Sequence, residues 1–128
     1  FVGLSELVET EVDNLSFGQG RLLELARALA GEPRVILLDE PAAGLTLNEA
    51  DRLSKIIREI SDRGIAVLLI EHDMRFLMAV AQRVAVLNFG VKIADGAPDE
   101  IRRNPDVIAA YLGESRPQLQ LGKEMTGC

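Results

Sequence analysis

Between Gln19 and Gly31 the apolar residues Leu22, Leu25, Ala26 and Leu29 recur at the i, i+3, i+4, i+7 spacing of one helix face. The spacing predicts a helix that begins just after the LSFGQ segment and is broken by Pro33. Val35 to Leu38 is a short, wholly apolar run of the kind a parallel strand buried on both faces shows, and polar Asp39 and Glu40 follow it directly. From Glu49 to Asp62 the helical period returns, with Leu53, Ile56, Ile57 and Ile60 on one face and Asp51, Lys55, Arg58 and Asp62 away from it. Thr46 followed by Glu49 predicts a capping box at the start of this helix, and Gly64 its stop. Ala66 to Ile70 reads as a second buried strand. Strand, helix and strand at this spacing make a βαβ unit with a right-handed crossover, so the expected fold class is α/β with a mainly parallel sheet.

Further on, Met74, Leu77, Met78 and Ala81 outline a third helical face, with Asp73 placed to cap it. Val84 to Asn88 and Val91 to Asp95 predict a strand pair closed by a tight turn at Phe89-Gly90. Pro98 opens a short helix with Asp99 and Glu100 in its first turn and Arg102 and Arg103 in its last. Asn104-Pro105 opens another, ended by Gly113. Residues 1–113 are therefore expected to fold, and 114–128, which have no period, to form a disordered tail.

Composition narrows the possible functions. Hydrophobic residues make up 48% and charged residues 27% of 128 residues, enough apolar surface for the core of a globular domain. A net charge of -6 gives no electrostatic footprint for nucleic acid or for anionic lipid. The longest apolar runs, Ile65 to Ile70 and Phe76 to Ala81, are six residues each, whereas a membrane-spanning helix needs about 20. The single cysteine, Cys128, forms no internal disulfide, and a reducing cytoplasm is the expected setting. The first residue is Phe1 rather than Met, without a signal-peptide pattern, and the chain is expected to be cut from a longer one.

Ligands of open parallel sheets bind at the carboxyl ends of the strands, where loops gather and helix N-termini point. Asp39-Glu40 follows the first strand and Glu71-His72-Asp73 the second, so both clusters are expected at one edge. An apolar strand ending in two carboxylates suits phosphate chemistry, the first holding Mg²⁺ and the second orienting a water. His72 there can donate to a phosphate oxygen or hold the attacking water. Taken alone, Asp-Glu is as well explained by a loop cap and a solvated carboxylate, and a lone histidine by a structural role. LSFGQ sits at a helix start, where Ser16 offers a hydroxyl and Gly18 an uncrowded backbone N–H to an anion. A plain serine cap with a flexible glycine explains that segment equally well.

Together, LSFGQ, VILLDEPAAGL and LLIEHDM, in this order and at these separations, resemble the C-terminal half of an ABC-type ATP-binding subunit. LSFGQ resembles the ABC signature, with Phe17 where glycine is commoner. Val35 to Glu40 resembles Walker B with its catalytic glutamate, and His72 the switch histidine. The stretch LNFGVKIADGAPDEIRRNPDVIAAYLGE is most similar to the ATP-binding subunits of branched-chain amino-acid importers, and urea and lipopolysaccharide transport subunits have comparable endings. The resemblance implies a P-loop NTPase fold of which the N-terminal, phosphate-loop half is absent, because no G-x-x-x-x-G-K-[ST] occurs. Gly122-Lys123 fails as an imitation, with Pro117 in place of the first glycine and Glu124 in place of Ser or Thr. Thr46 stands where the D-loop of these proteins commonly has aspartate, and that role is not carried over to it.

By the same resemblance, Glu40 and His72 are the catalytic pair, Asp39 helps hold Mg²⁺, and Ser16, Gly18 and Gln19 close over ATP bound by a second subunit in a head-to-tail dimer. Membrane permease subunits are the other implied partners, which implies a cytoplasmic subunit peripheral to the inner face of the cell membrane. No nucleic acid is expected. Without a phosphate loop the chain alone is expected neither to bind nor to hydrolyse ATP, and to self-associate through its uncovered sheet. Two other readings are open at this stage: an ABC-type ATPase of DNA repair or translation, and a non-enzymatic α/β interaction module. The acidic charge and the lack of an insertion between Gln19 and Val35 speak against the first, and the intact Asp39, Glu40 and His72 against the second.

Overall fold

In the computed structural model, which describes residues 1–114, the chain divides into two compact units, Phe1–Ala81 and the residues from Gln82 onward. The division falls inside the span expected to fold as one piece, and the expected tail lies outside the described residues except for Glu114.

The first unit has helices α1 (Phe17–Ala30), α2 (Leu47–Asp62) and α3 (Met74–Val80) and strands β1 (Val35–Asp39) and β2 (Ala66–Ile70), after two 3-10 turns at Ser5–Leu7 and Val12–Asn14. All three helices begin at side-chain caps. Ser16 and Thr46 each form a complete capping box, with Gln19 and Glu49 as third helical residues, and Asp73 accepts the Phe76 N–H at 3.1 Å. α1 therefore starts at Phe17, inside LSFGQ and five residues before Leu22 opens its apolar period, because the cap rather than the first apolar residue sets the boundary.

β1 and β2 pair in parallel from Val35↔Ala66 to Asp39↔Ile70, as the strand–helix–strand spacing requires. α2 packs against β2 and α3. Its predicted face is buried at every position, Ile57 and Ile60 almost completely, and each such side chain contributes about 1.5–3 kcal/mol. Leu22 and Leu25 of α1, Ile36 of β1, Phe76 of α3 and Val2 join the same core. The Arg52 guanidinium donates to the carbonyls of Val2 and Gly3, tying the N-terminal segment to α2.

Two expectations are corrected. The strands are not buried on both faces: Ile36, Leu38, Val67 and Leu69 face the core, whereas Val35, Leu37, Leu68 and Ile70 are exposed, since α1 and α2 cover a single side. In α3 the buried residue is Phe76, and Met74, Leu77, Met78 and Ala81 are only half-buried. The aromatic ring, with the largest area to remove from water, sets the orientation of so short a helix.

The second unit pairs β3 (Val84–Asn88) with β4 (Val91–Gly96) in an antiparallel hairpin, followed by α4 (Pro98–Arg103) and α5 (Pro105–Glu114). The turn has φ of 47° at Phe89 and 80° at Gly90, the positive pair required by a two-residue turn that matches strand twist. A bulge lies opposite Val86/Leu87. Among the described residues of this unit, Val84, Ala94, Ile101 and Val107 are buried. Asp95 binds both Arg83 (2.8 Å) and Lys92 (3.0 Å).

Two predictions follow from this architecture. The hydrogen bond from Arg83, with that from Lys92, pulls the Asp95 carboxyl from its ordinary 3.8 down to about 2. A group depressed in the folded state stabilises above its unfolded pKa and loses that contribution as pH falls toward its folded one. Melting of the hairpin unit is therefore expected to drop between about pH 4 and pH 2, and Asp95→Asn to flatten that part of the profile, as circular dichroism would read. The exposed apolar strip Val35, Leu37, Leu68 and Ile70 should make the chain self-associate. Sedimentation coefficients should rise with concentration, and Leu37→Lys with Leu68→Glu should abolish the rise.

Candidate functional site

The parallel register brings the two polar clusters to the same edge. The Glu40 N–H donates to the Ile70 carbonyl at 2.9 Å, which continues the ladder one residue beyond Asp39. At Glu40 the chain turns with φ of +45°, a left-handed conformation that costs a non-glycine residue about 1–2 kcal/mol. The Ala43 N–H closes the turn on the Glu40 carbonyl at 3.1 Å, and Pro41 within it is buried.

Across the edge, His72 Nδ1 lies 3.2 Å from Glu40 Oε1, with both side chains largely exposed. The contact leaves the other ring nitrogen, Nε2, available to a further group. The sequence-predicted Glu40 and His72 are thus brought together. Glu71, to which the sequence reading gave no role, accepts the Ala42 N–H at 3.0 Å on one carboxylate oxygen and the N–H groups of His72 (3.2 Å) and Asp73 (3.4 Å) on the other.

Asp39 is exposed at the end of β1, on the same side as Val35 and Leu37. Among the described residues no group of three His, Cys, Asp or Glu is placed to hold a metal by itself. Mg²⁺ takes hard oxygen donors and is commonly held by one or two carboxylates with waters and substrate phosphates. Asp39 fits that demand as a single ligand.

The LSFGQ segment is built as a helix start. Ser16 N–H donates to Gln19 Oε1 at 2.8 Å, and the Gln19 N–H donates to Ser16 Oγ at 3.2 Å. Both side chains therefore serve the cap, and the first-turn N–H groups of Phe17 and Gly18 have no carbonyl inside the helix to bond. The side of Gly18 on which a side chain would stand is filled. The residue is buried, and a Cβ there would collide with the Glu49 side chain, whose Cδ would lie 2.7 Å away. The reason is that Glu49 is fixed at the start of α2, its Oε2 accepting from both the N–H and the hydroxyl of Thr46 at 2.8 Å. Those bonds, the backbone one foremost, hold the Glu49 carboxyl below the usual carboxylate range. Beside it, the Phe17 ring lies on Gly44 (φ +77°), where a Cβ would come within 3.0 Å of the ring, and Arg21 sits 5.2 Å from the ring centre. Ser16, Gly18 and Gln19 lie on α1, whereas Asp39, Glu40 and His72 follow β1 and β2; no hydrogen bond or ion pair found in the structure joins the two groups.

Gly18→Ala should lower stability by about 1–3 kcal/mol through overpacking. Glu49→Ala in the same chain should recover part of that loss, which a double-mutant cycle of unfolding free energies would register as coupling between the two positions.

Comparison with known proteins bears on the family and the fold. The ABC transporter family matches residues 1–43, and the Branched-chain amino acid ATP-binding cassette transporter family matches residues 91–116. The high-affinity branched-chain amino acid transport ATP-binding protein BraF of Pseudomonas aeruginosa is 47% identical over 115 residues, which are 89% of this chain and 45% of BraF. The corresponding protein LivG of Escherichia coli is 44% identical with the same coverage. Among solved structures, an ATP-binding cassette of an ABC transporter in its ADP conformation superposes with a TM-score of 0.80 at 31% identity, over 88% of this chain and 46% of that one. The chain spans about 45% of the length of the curated relatives it matches. Over that length, its sequence is similar to those of ABC transporter ATP-binding proteins, and it has the P-loop NTPase fold of their cassettes.

Proposed function

We propose that this chain supplies the signature, Walker B and switch residues of the ATP-hydrolysing subunit of an importer for branched-chain amino acids. The observation that carries the reading is the 3.2 Å approach of His72 Nδ1 to Glu40 Oε1 across the carboxyl ends of two parallel strands. Parallel sheets use that edge for ligands. Glu40 acts there as the general base or positioner of the water that attacks the terminal phosphate of ATP, and His72 holds Glu40 with one ring nitrogen and meets that phosphate with the other. Asp39 would hold Mg²⁺, which supplies neutralisation of the developing phosphate charge. The N-terminus of α1, capped by Ser16 and Gln19 and kept close to α2 by Gly18, presents unpaired N–H groups and the positive end of a helix dipole to the nucleotide of a second subunit.

A phosphate loop has to come from elsewhere, since no G-x-x-x-x-G-K-[ST] occurs in this sequence. The subunit works in the cytoplasm, in a head-to-tail pair bound to permease subunits. No helix among the described residues is long and apolar enough to cross a membrane.

Two experiments test the reading. Calorimetry on the chain alone should show no micromolar binding of MgATP, and phosphate release should stay at background; micromolar affinity with Glu40-dependent turnover would refute the division of labour. In a chimera, this chain would replace the matching segment of BraF. It should hydrolyse ATP, and Glu40→Gln should lower kcat by about 100-fold or more. A folded chimera in which Glu40→Gln turns over at the parental rate sinks the proposal.

A further inference from the structure

We propose that Glu71 is a positioning residue for the Glu40–His72 pair, tying the turn after β1 to the turn after β2; this rests on the reading of Glu40 and His72 given above. The two turns belong to separate loops, and β-ladder bonds end at Glu40 N–H to Ile70 O. Beyond that bond, and beside the contact of His72 with Glu40, the Glu71 side chain reaches from the second turn to the backbone of the first. Its Oε1 takes the Ala42 N–H at 3.0 Å, 29 residues away in sequence, while Oε2 takes the N–H groups of His72 and Asp73 at 3.2 and 3.4 Å.

Geometry makes the tether matter. Glu40 occupies a left-handed conformation, which persists only where its surroundings over-determine it. The turn is held at Glu40 N–H by Ile70, at Ala43 N–H by Glu40 itself, and at Ala42 N–H by Glu71, while Pro41 has no N–H to give. Of these, the Ala42 bond alone is made by a side chain. The same carboxylate binds the backbone of His72, so one group fixes both ends of the 3.2 Å contact between His72 Nδ1 and Glu40 Oε1. Both side chains in that contact are exposed, and exposed pairs of this kind hold themselves together weakly. Their alignment has to come from the backbones that carry them. Glu71 touches no reacting atom; it acts through Glu40 and His72.

The test uses nuclear magnetic resonance on the 128-residue chain, in which His72 is the sole histidine and its ring signal is unambiguous. In the parent chain the Ala42 amide proton should be protected from solvent exchange, and the protection should survive Glu40→Gln. In Glu71→Ala, Ala42 exchange should quicken by about tenfold or more, and the His72 ring signal should move. Glu71→Gln, which keeps one acceptor oxygen, should restore Ala42 protection. An Ala42 amide that exchanges freely in the folded parent, a measurement that needs no variant, overturns the tether, as does unchanged exchange in Glu71→Ala.

The BraF chimera separates the tether from the functional reading. Glu71→Ala should reduce kcat by about ten- to a hundredfold with KM for ATP within about twofold, and Glu71→Gln should recover most of it. If Glu40→Gln stops turnover while Glu71→Ala does not slow it, the positioning role is overturned and the reading of Glu40 stands. If Glu40→Gln leaves turnover intact, the reading of Glu40 fails, and with it the catalytic meaning of a tether that the Ala42 signal still detects.

Discussion

The parallel register of β1 on β2 is the constraint on which the candidate site depends. Asp39 faces Ile70 across the ladder, and the Glu40 N–H still reaches the Ile70 carbonyl. Parallel pairing sends the two chain segments out of the sheet at the same edge, so Glu40 and His72 meet although 31 residues of chain lie between them. A slip of one residue would displace one turn by about 3.3 Å relative to the other and exchange inward for outward side chains. The apolar inner face, with Ile36 buried against the α2 isoleucines, is what forbids that slip.

A second junction forms where α1 and α2 begin. Phe17 and Thr46 are two positions at which the sequence departs from the ABC pattern it resembles, and they meet in the structure through neighbours. Phe17 rests on Gly44, two residues before Thr46, and the Thr46–Glu49 cap fills the space that a side chain on Gly18 would need. The start of α1 is thereby keyed to the start of α2. Thr46 serves as a cap, with its hydroxyl spent on Glu49.

What the sequence revealed and what it hid divide along the range of the interactions. The caps at Ser16, Thr46 and Asp73, the face of α2, the hairpin turn at Phe89-Gly90 and the shared edge of Asp39, Glu40 and His72 follow from local spacing or from a topological rule, and each was legible. The link from Glu71 to Ala42 and the crowding of Gly18 by Glu49 join residues far apart in the chain, and no local pattern encodes them. The outer strand face was misread because an apolar run says only that water is unfavourable, not which element supplies the cover. Phe76 was missed because seven residues of helix are too few for periodicity to outweigh the area of one ring.

The left-handed turn at Glu40 solves a problem that a strand cannot. In a pleated chain, consecutive side chains leave on opposite faces, so two adjacent acids at the end of β1 would be separated by the sheet itself, one of them driven beneath α2. Asp39 obeys the pleat and emerges on the open side. Glu40, rotated out of the alternation by its positive φ, also remains at the solvent-facing rim. The backbone distortion at a single residue thus converts a one-sided ribbon into a platform on which two neighbouring negative groups can serve different tasks without either entering the interior.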